Sequence, residues 1–345
     1  MNELKHKLRG TSYLENGDFT RKFFETVHEF ESLHNSNEPL LVENLRYREH
    51  KALKYSIEGD LEDKRRFDCR PILGNEIELP IEWREESWPI QFVSRLDRMT
   101  ELAYITGIKR ISTSEYEEDE EIPPQLLLDD NGQKIPRKEQ PLYFKQDSRR
   151  KYGIAKYNHG EGIYLEIKNE WIQDIVDRRN THLSERHASM TLSALKFLPN
   201  ILKQIPSINK KNGSNALTVL HTFSHLIIKE LCMISGYSLG SIRERLYLDL
   251  DDDGLVKTAG ILLYTSGPSS DGTLGGLVSQ SSRKSIEEAV KRALHSKDNC
   301  SNDPICMGHI PVGEERNGAA CHTCVLLPET CCELRNFSLD RNWCD

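Results

Sequence analysis

Residues 300–324 read CSNDPICMGHIPVGEERNGAACHTC, and the spacing of their cysteines decides how the C-terminal part of the chain folds. The pattern is Cys300-x5-Cys306, then 14 residues, then Cys321-x2-Cys324. Two close cysteine pairs joined by a short loop supply four thiolates to a tetrahedral ion. The second pair has the spacing of a metal knuckle. The first is wider, but Pro304 folds its loop back, and Gly308, Gly313 and Gly318 let the connecting segment turn. Such ligands are not held in place without the metal, so binding supplies local folding free energy. Four thiolates leave no open coordination position, so the expected ion is structural zinc at Cys300, Cys306, Cys321 and Cys324. Other readings stay open on the spacing alone. Cys331 or Cys332 replaces one ligand, His309 or His322 joins the set, Cys321 and Cys324 form a redox pair or an iron–sulfur site, or the cysteines are simply buried. The redox reading lacks the strand-then-helix context that such motifs have.

Outward from this stretch, the nine cysteines are unevenly spread, with only Cys69 and Cys232 before position 300. Clustering and an odd total favour metal in a reducing compartment over a secreted disulfide framework. No run approaches ~18 uninterrupted apolar residues. The most apolar stretch, 217–236, is broken by His221, His225, Lys229 and Glu230. The first ten residues, MNELKHKLRG, lack the apolar core of a signal peptide. A cytoplasmic protein with no membrane partner is therefore expected. With 345 residues and a mean hydropathy of -0.59, the chain has room for two or three domains and long polar connections. Its net charge of -8 does not suit a freestanding nucleic-acid binder, but it permits a local basic face.

The expected fold class is α+β, with mixed helices and short sheets and a C-terminal four-cysteine zinc module. Residues 1–112 read as a helical or mixed N-terminal region, in which Phe23, Phe24, Val27, Phe30 and Leu33 recur at helical spacing. Residues 61–92, broken by Pro71, Pro80 and Pro89, suit short strands and loops, and 93–111 start as a helix that Gly107 caps. Residues 113–150 carry the acidic run Glu115 to Glu121 and several prolines, as a loop or insertion. Residues 151–345 form the C-terminal domain, with the zinc module at about 296–341. Within it, 160–168 alternate as a half-buried strand, with Ile163, Leu165 and Ile167 on one side. Two helices follow over 171–203, then a buried helix over 216–235, a continuous apolar strand over 260–265, and a helix over 286–294. Ser285 and Glu288 form a capping box at the start of that last helix.

Few residues offer catalysis. His221 and His225 share one helix face, yet HTFSH lacks the glutamate of HExxH. They read as histidines hydrogen-bonded in a polar pocket, or as the lining of a functional one with Glu244 and Tyr264. His295-Ser296-Lys297 lacks the correctly spaced aspartate of phospholipase-D-like enzymes, because Asn302 stands there. The stretch GPSSDGTLGG, 267–276, has neither GK[ST] nor GxGxxG. Arg243-Glu244-Arg245 reads as a helix face, an ion-pair cluster or a phosphate contact.

Several segments in fixed order carry a resemblance: LHTFSHLIIKEL (220–231), SGYSLGSIRERLY (235–247), GILLYTSGPSSDGTLGGL (260–277), CSNDPIC (300–306), NGAACHTCVLLPETCCE (317–333) and LDR (339–341). Together they resemble the MrfA-type zinc-binding domain found at the end of certain helicases and in DrmB, a component of the DISARM anti-phage system. VSRLDRMTELAYITGIKRI (93–111), GEGIYLEI (160–167) and NLRYREHKAL (44–53) are similar to DrmB proteins more weakly, so most of the chain corresponds to the C-terminal half of DrmB. DrmB proteins carry a further N-terminal region with another cysteine cluster. The family's single cysteine after the PET segment is doubled here as Cys331-Cys332, with Cys332 matching better.

The resemblance implies a non-catalytic accessory subunit of a DISARM-like system. It would partner a helicase that hydrolyses ATP, contribute to DNA binding and need no small-molecule substrate. Lys210, Lys211, Arg243, Arg245, Arg283, Lys284, Lys291 and Arg292 are the candidate DNA-contacting residues. The competing readings are a standalone nucleic-acid- or nucleotide-processing enzyme using the His221/His225 pocket, and a protein–protein scaffold that never touches DNA.

Overall fold

The computed structural model describes residues 46, 49–50, 53–54, 67–73, 81–85, 87–105, 107–108, 140–141, 145–147, 150–152, 154–178, 181–198, 202, 205–265, 276–311 and 315–343. The expected apolar helix face at Phe23 to Leu33, the acidic run 115–121 and most of the glycine-rich stretch after position 266 lie outside the described residues. The strands are β1 (Phe67–Leu73), β2 (Ile90–Ile105), β3 (Gly107–Ile108), β4 (Gln140–Pro141), β5 (Lys145–Asp147), β6 (Arg150–Tyr152), β7 (Ile154–Ile167), β8 (Ile242–Leu250) and β9 (Val256–Thr265). The helices are α1 (Asn169–Asp177), α2 (Thr181–Phe197), α3 (Gly213–Ser235), the single turn α4 (Gly276–Ser279) and α5 (Arg283–Ser296). This is the α+β class, with the cysteine cluster beyond α5. The chain divides into two compact units, Met1–Thr100 with His159–Asp345, and Glu101–Asn158. The second unit holds the short antiparallel ladders β3–β4 and β5–β6.

The main sheet runs β1-β2-β7-β9-β8, with β1–β2, β7–β9 and β8–β9 antiparallel. Its sequence alternates in a way that sends apolar groups to both faces. Ile163, Leu165 and Ile167 of β7, Ile261 and Leu263 of β9, and Leu246 and Leu248 of β8 enter one large core. The residues between them, Tyr164, Leu262 and Tyr247, meet Phe92, Leu96, Met99 and Leu53 in a second core. Tyr164 and Tyr247 pack edge to face with ring centroids 6.0 Å apart. The β8–β9 hairpin closes through the acidic run 249–253. Asp251 accepts from the backbone N–H of Asp253 at 3.0 Å and of Leu255 at 2.8 Å. Gly254 sits there at φ +84°, where a Cβ would lie 2.6 Å from the Lys211 carbonyl.

Double burial explains two departures from the sequence expectations. The 160–167 stretch of β7 is not half-buried, because every residue from Gly160 to Ile167 is buried. Residues 93–105 are strand, not helix, and Gly107 belongs to β3 rather than to a helix cap. Val93, Leu96 and Met99 recur at a helix-like interval because Val93 faces one core and Leu96 the other, and a register shift that leaves Asp97 unpaired turns Met99 to the same core as Leu96. A strand covered on both sides loses the clean two-residue period. Arg243-Glu244-Arg245 likewise lies on β8, not on a helix face.

α3 is the central element. Seventeen of its 23 residues are buried, each large apolar side chain contributing about 1.5–3 kcal/mol. By length and composition alone it could cross a bilayer, but 78% of its apolar window is buried inside the fold. α1, α2, α5, β8 and β9 pack around it, and Gly236 ends it at φ +75°. The N-cap of α5 is Ser282, whose side chain accepts from the Ser285 N–H. The helix thus starts at Arg283, one turn before the expected capping box at Ser285 and Glu288.

Candidate metal centre

Past α5 the chain forms a tight turn in which Cys306 N–H donates to Asn302 O at 3.0 Å and Gly308 N–H donates to Pro304 O at 2.9 Å. Pro304 thus folds the wider loop back as its position suggests. Cys300, Cys306, Cys321 and Cys324 converge, with their sulfur atoms within 4.8 Å of one another. The Sγ separations are 3.5 Å for Cys300–Cys321, 3.6 Å for Cys321–Cys324 and 3.7 Å for Cys306–Cys324. Those lengths exceed a disulfide bond of ~2.05 Å and are close to the ~3.8 Å edge of a tetrahedron around an ion with ~2.3 Å bonds to sulfur. All four are free thiols, so the donor set fits a tetrahedral, thiolate-binding ion.

The surroundings favour ionised sulfur. Cys321 N–H donates to Cys324 Sγ at 3.2 Å, Asn302 N–H to Cys300 Sγ at 3.4 Å, and the Asn302 side-chain amide to Cys321 Sγ at 3.3 Å. Burial pushes the Cys306 and Cys324 thiols up. Burial acts in the same sense on Cys321, but hydrogen bonds from the Cys324 backbone, the Asn302 side chain and Cys300 outweigh it and hold that thiol at about 6. Four thiolates around a divalent ion leave two excess negative charges. Lys229 of α3 caps the knuckle, donating to the carbonyls of Thr323 at 3.0 Å and Cys324 at 2.7 Å. Arg341, with its side chain fully buried, binds Asp303 and donates to Lys297 O at 2.8 Å.

The LDR segment anchors this module to the core. Asp340 pairs with Arg186 at 3.1 Å and His187 at 3.0 Å on α2, and its backbone N–H donates to Thr222 Oγ1 of α3 at 3.0 Å. Trp343 stacks edge to face on Trp171 and Phe223. Spacing arguments assigned no role to Asp340 or Arg341, because a buried aspartate or arginine shows no period of its own.

The other candidate ligands are elsewhere. His309 pairs with Glu315 at 3.4 Å, and His322 is exposed. Cys332 joins a different group, His221, His225, Glu244 and Cys332, whose donor atoms also lie within 4.8 Å of one another. Both histidines are fully buried and hydrogen-bonded, which is the polar-pocket arrangement. Burial holds His225 below its usual value and pushes the Cys332 thiol well up. Glu244 is also opposed by burial, yet His225 and His221 keep it well below the usual carboxylate range.

Beside this group opens a cleft of about 260 Å³, lined by Glu244, Tyr264 and Cys332 together with Arg243, Arg245, Thr330, Cys331 and Glu333. Neither histidine is on its wall, so the expected set divides: His221, His225 and Glu244 meet in the buried group, and Glu244 and Tyr264 line the cleft. The basic candidates are largely engaged. Arg245 binds Glu49 at 2.6 Å and Glu333 at 3.5 Å, and Lys210 donates to Leu250 O at 2.6 Å. Arg283 and Arg292 pair with Glu287 and Glu288 one turn away along α5.

Residues 223–325 match the family model of the MrfA Zn-binding domain. The chain is also 34% identical over 185 residues, 53% of its length, to the DISARM protein DrmB of Bacillus paralicheniformis. It spans 31% of that relative's length. The resemblance read from the ordered motifs is thus borne out, and the matched stretch contains the second half of α3 from Phe223, the β8–β9 hairpin, α5 and all four converging cysteines.

Proposed function

We propose that this chain is a non-catalytic accessory component of a DISARM-like anti-phage system, holding one structural zinc ion at Cys300, Cys306, Cys321 and Cys324. In this reading it partners a helicase motor and contributes to DNA contact in the complex. The observation that carries the proposal is the 34% identity to DrmB together with a domain match over the zinc module. The chemistry supports it. Four thiolates fill a zinc ion's coordination shell, so such a site builds structure rather than activating water. The net charge of -8 and the internal pairing of Arg245, Arg283 and Arg292 support DNA contact shared with a more basic partner.

The test is a pull-down of the tagged chain from its native host, with mass spectrometry, followed by DNA binding of the recovered complex at two salt concentrations. A co-purifying helicase and salt-sensitive binding that exceeds that of either protein alone are expected. A complex whose DNA affinity equals the motor's own would replace this reading with a scaffold. Capture of no ATPase would overturn the accessory role.

A further inference from the structure

His221 and His225 stand one turn apart on α3, with ring centroids 4.5 Å apart. Their Nε2 atoms approach one carboxylate oxygen, Glu244 Oε1 on β8, at 3.0 and 3.2 Å. His221 Nε2 is also 3.1 Å from Cys332 Sγ. His225 Nδ1 lies 3.0 Å from the Val325 carbonyl. A carbonyl only accepts, so Nδ1 carries the proton and the Nε2 of the neutral ring presents a lone pair. That lone pair faces a carboxylate oxygen. Two acceptors meet at hydrogen-bond distance, so a proton or a metal ion must lie between them. A proton gives either a buried imidazolium beside a carboxylate or a neutral buried carboxylic acid. A metal ion is the alternative, and it also accounts for His221 Nε2, which otherwise has one proton at most to divide between Glu244 and Cys332.

The remaining geometry favours the ion. The Asn336 N–H donates to Cys332 Sγ at 3.0 Å, with Arg335 and Asn336 both left-handed at φ 49° and 60°, so the backbone wraps the sulfur as a nest wraps an anion. Backbone N–H groups donate to sulfur in the loops of the four-cysteine set in the same way. The His225–Val325 bond is the outer contact that fixes the tautomer of a metal-binding imidazole. Ser224 donates to the second oxygen of Glu244, while Oε1 faces the centre and also accepts from the Glu333 N–H at 3.3 Å. Donor separations of 3.0–3.2 Å are slightly inside the ~3.3–3.8 Å edges of a tetrahedron with ~2.0–2.3 Å bonds. One carboxylate, one thiolate and one divalent ion sum to zero charge, which suits a site this deeply buried.

We propose that His221, His225, Glu244 and Cys332 hold a second divalent ion of the zinc class, distinct from the one at the four-cysteine set. Two imidazoles, one thiolate and one carboxylate suit zinc better than calcium or magnesium. With four protein ligands the site is closed, and it ties α3, β8 and the 331–336 loop together.

The experiment is metal analysis and zinc X-ray absorption on the full chain, after incubation with zinc and removal of excess. Two ions per chain are expected, with five sulfur and three nitrogen or oxygen ligands shared between them. Cys332→Ser and Cys321→Ser should each lower the content by one ion. Should either variant fail to fold, the ligand ratio of the unaltered chain still decides. One ion per chain with a sulfur-only shell would overturn the proposal and leave a proton-sharing network. Retention of both ions by folded Cys332→Ser would overturn it as well.

Discussion

The four cysteines of the first cluster lie between positions 300 and 324 on two short turns, and Cys300 and Cys321 are partly exposed. The second cluster draws His221 and His225 from one helix, Glu244 from a strand and Cys332 from a loop far along the chain, and it is buried throughout. The two therefore depend on the fold in opposite ways. The segment around the cysteines has little core of its own, so its order rests on whatever holds the sulfurs. The elements that carry the histidine cluster also supply Leu217, Phe223 and Leu226 of α3 and Leu246 of β8 to the main core, and that apolar packing would survive without a ligand. On the proposed reading a metal organises the first region, while the fold organises the second.

The largest effect expected is from Cys324→Ser. It should release the ion from the cysteine set and strip hydrogen-exchange protection from 300–311 and 315–330, a loss of several kcal/mol for that segment. Amides of α3 and the β8–β9 hairpin should keep most of theirs. Equal loss of protection in α3 would show one cooperative unit and break the contrast between the two regions.

Next is Glu244→Ala, which leaves His221 and His225 facing an empty buried position. Removing one partner from a buried charged group costs roughly 3–5 kcal/mol. Denaturant melts should show that loss, while the cysteine set keeps its ion. Global destabilisation below about 1 kcal/mol would mean that the network is not strained by losing its acceptor, contrary to the low exposure of all its members.

How much of this was legible follows from the same contrast. The cysteine set could be read because its members are close in sequence and the spacing encodes the turn. His221 and His225 could also be seen, one turn apart on an apolar helix. Glu244 could be named with them as a candidate pocket residue, although its Arg-Glu-Arg setting also suits a helix face, and Cys332 looked like a spare ligand for the neighbouring cysteines. Only the β8–β9 register and the path of the chain after Pro328 bring them to the histidines. In the fold, the buried helix α3 and the apolar strand β9 were readable from their runs of Leu and Ile. β2 was not, because a strand covered on both faces mimics a helical interval.

A smaller effect is expected at Glu333, which accepts from Leu246 N–H at 2.9 Å and from Arg46 at 3.1 Å. Burial opposes its ionisation, but Arg46 and Arg245 hold its carboxyl below the usual range. A depressed folded-state value stabilises the protein above the unfolded value of ~4.3, and that contribution disappears as pH falls through the folded value. Glu333→Gln should cost about 2 kcal/mol near neutrality, as loss of charged hydrogen bonds does, and flatten the fall in stability below about pH 4. An unchanged acid slope would assign that slope to Asp340 or Glu244, whose carboxyls are also held low.

The smallest effect separates a local reading from a tertiary one. Ser282→Ala removes the side-chain acceptor for Ser285 N–H and should cost about 1 kcal/mol, as loss of an N-cap does. Ser285→Ala removes only a hydroxyl that touches Ser282 Oγ at 2.9 Å and should cost less. The reverse order would restore the cap to Ser285, where the sequence alone placed it. Neither change touches a donor atom of either cluster, so both variants should keep the metal content of the unaltered chain. If Ser282→Ala instead lowers it, α5 transmits strain into the turn at Cys300, and the cysteine region is less self-contained than its short spacing implies.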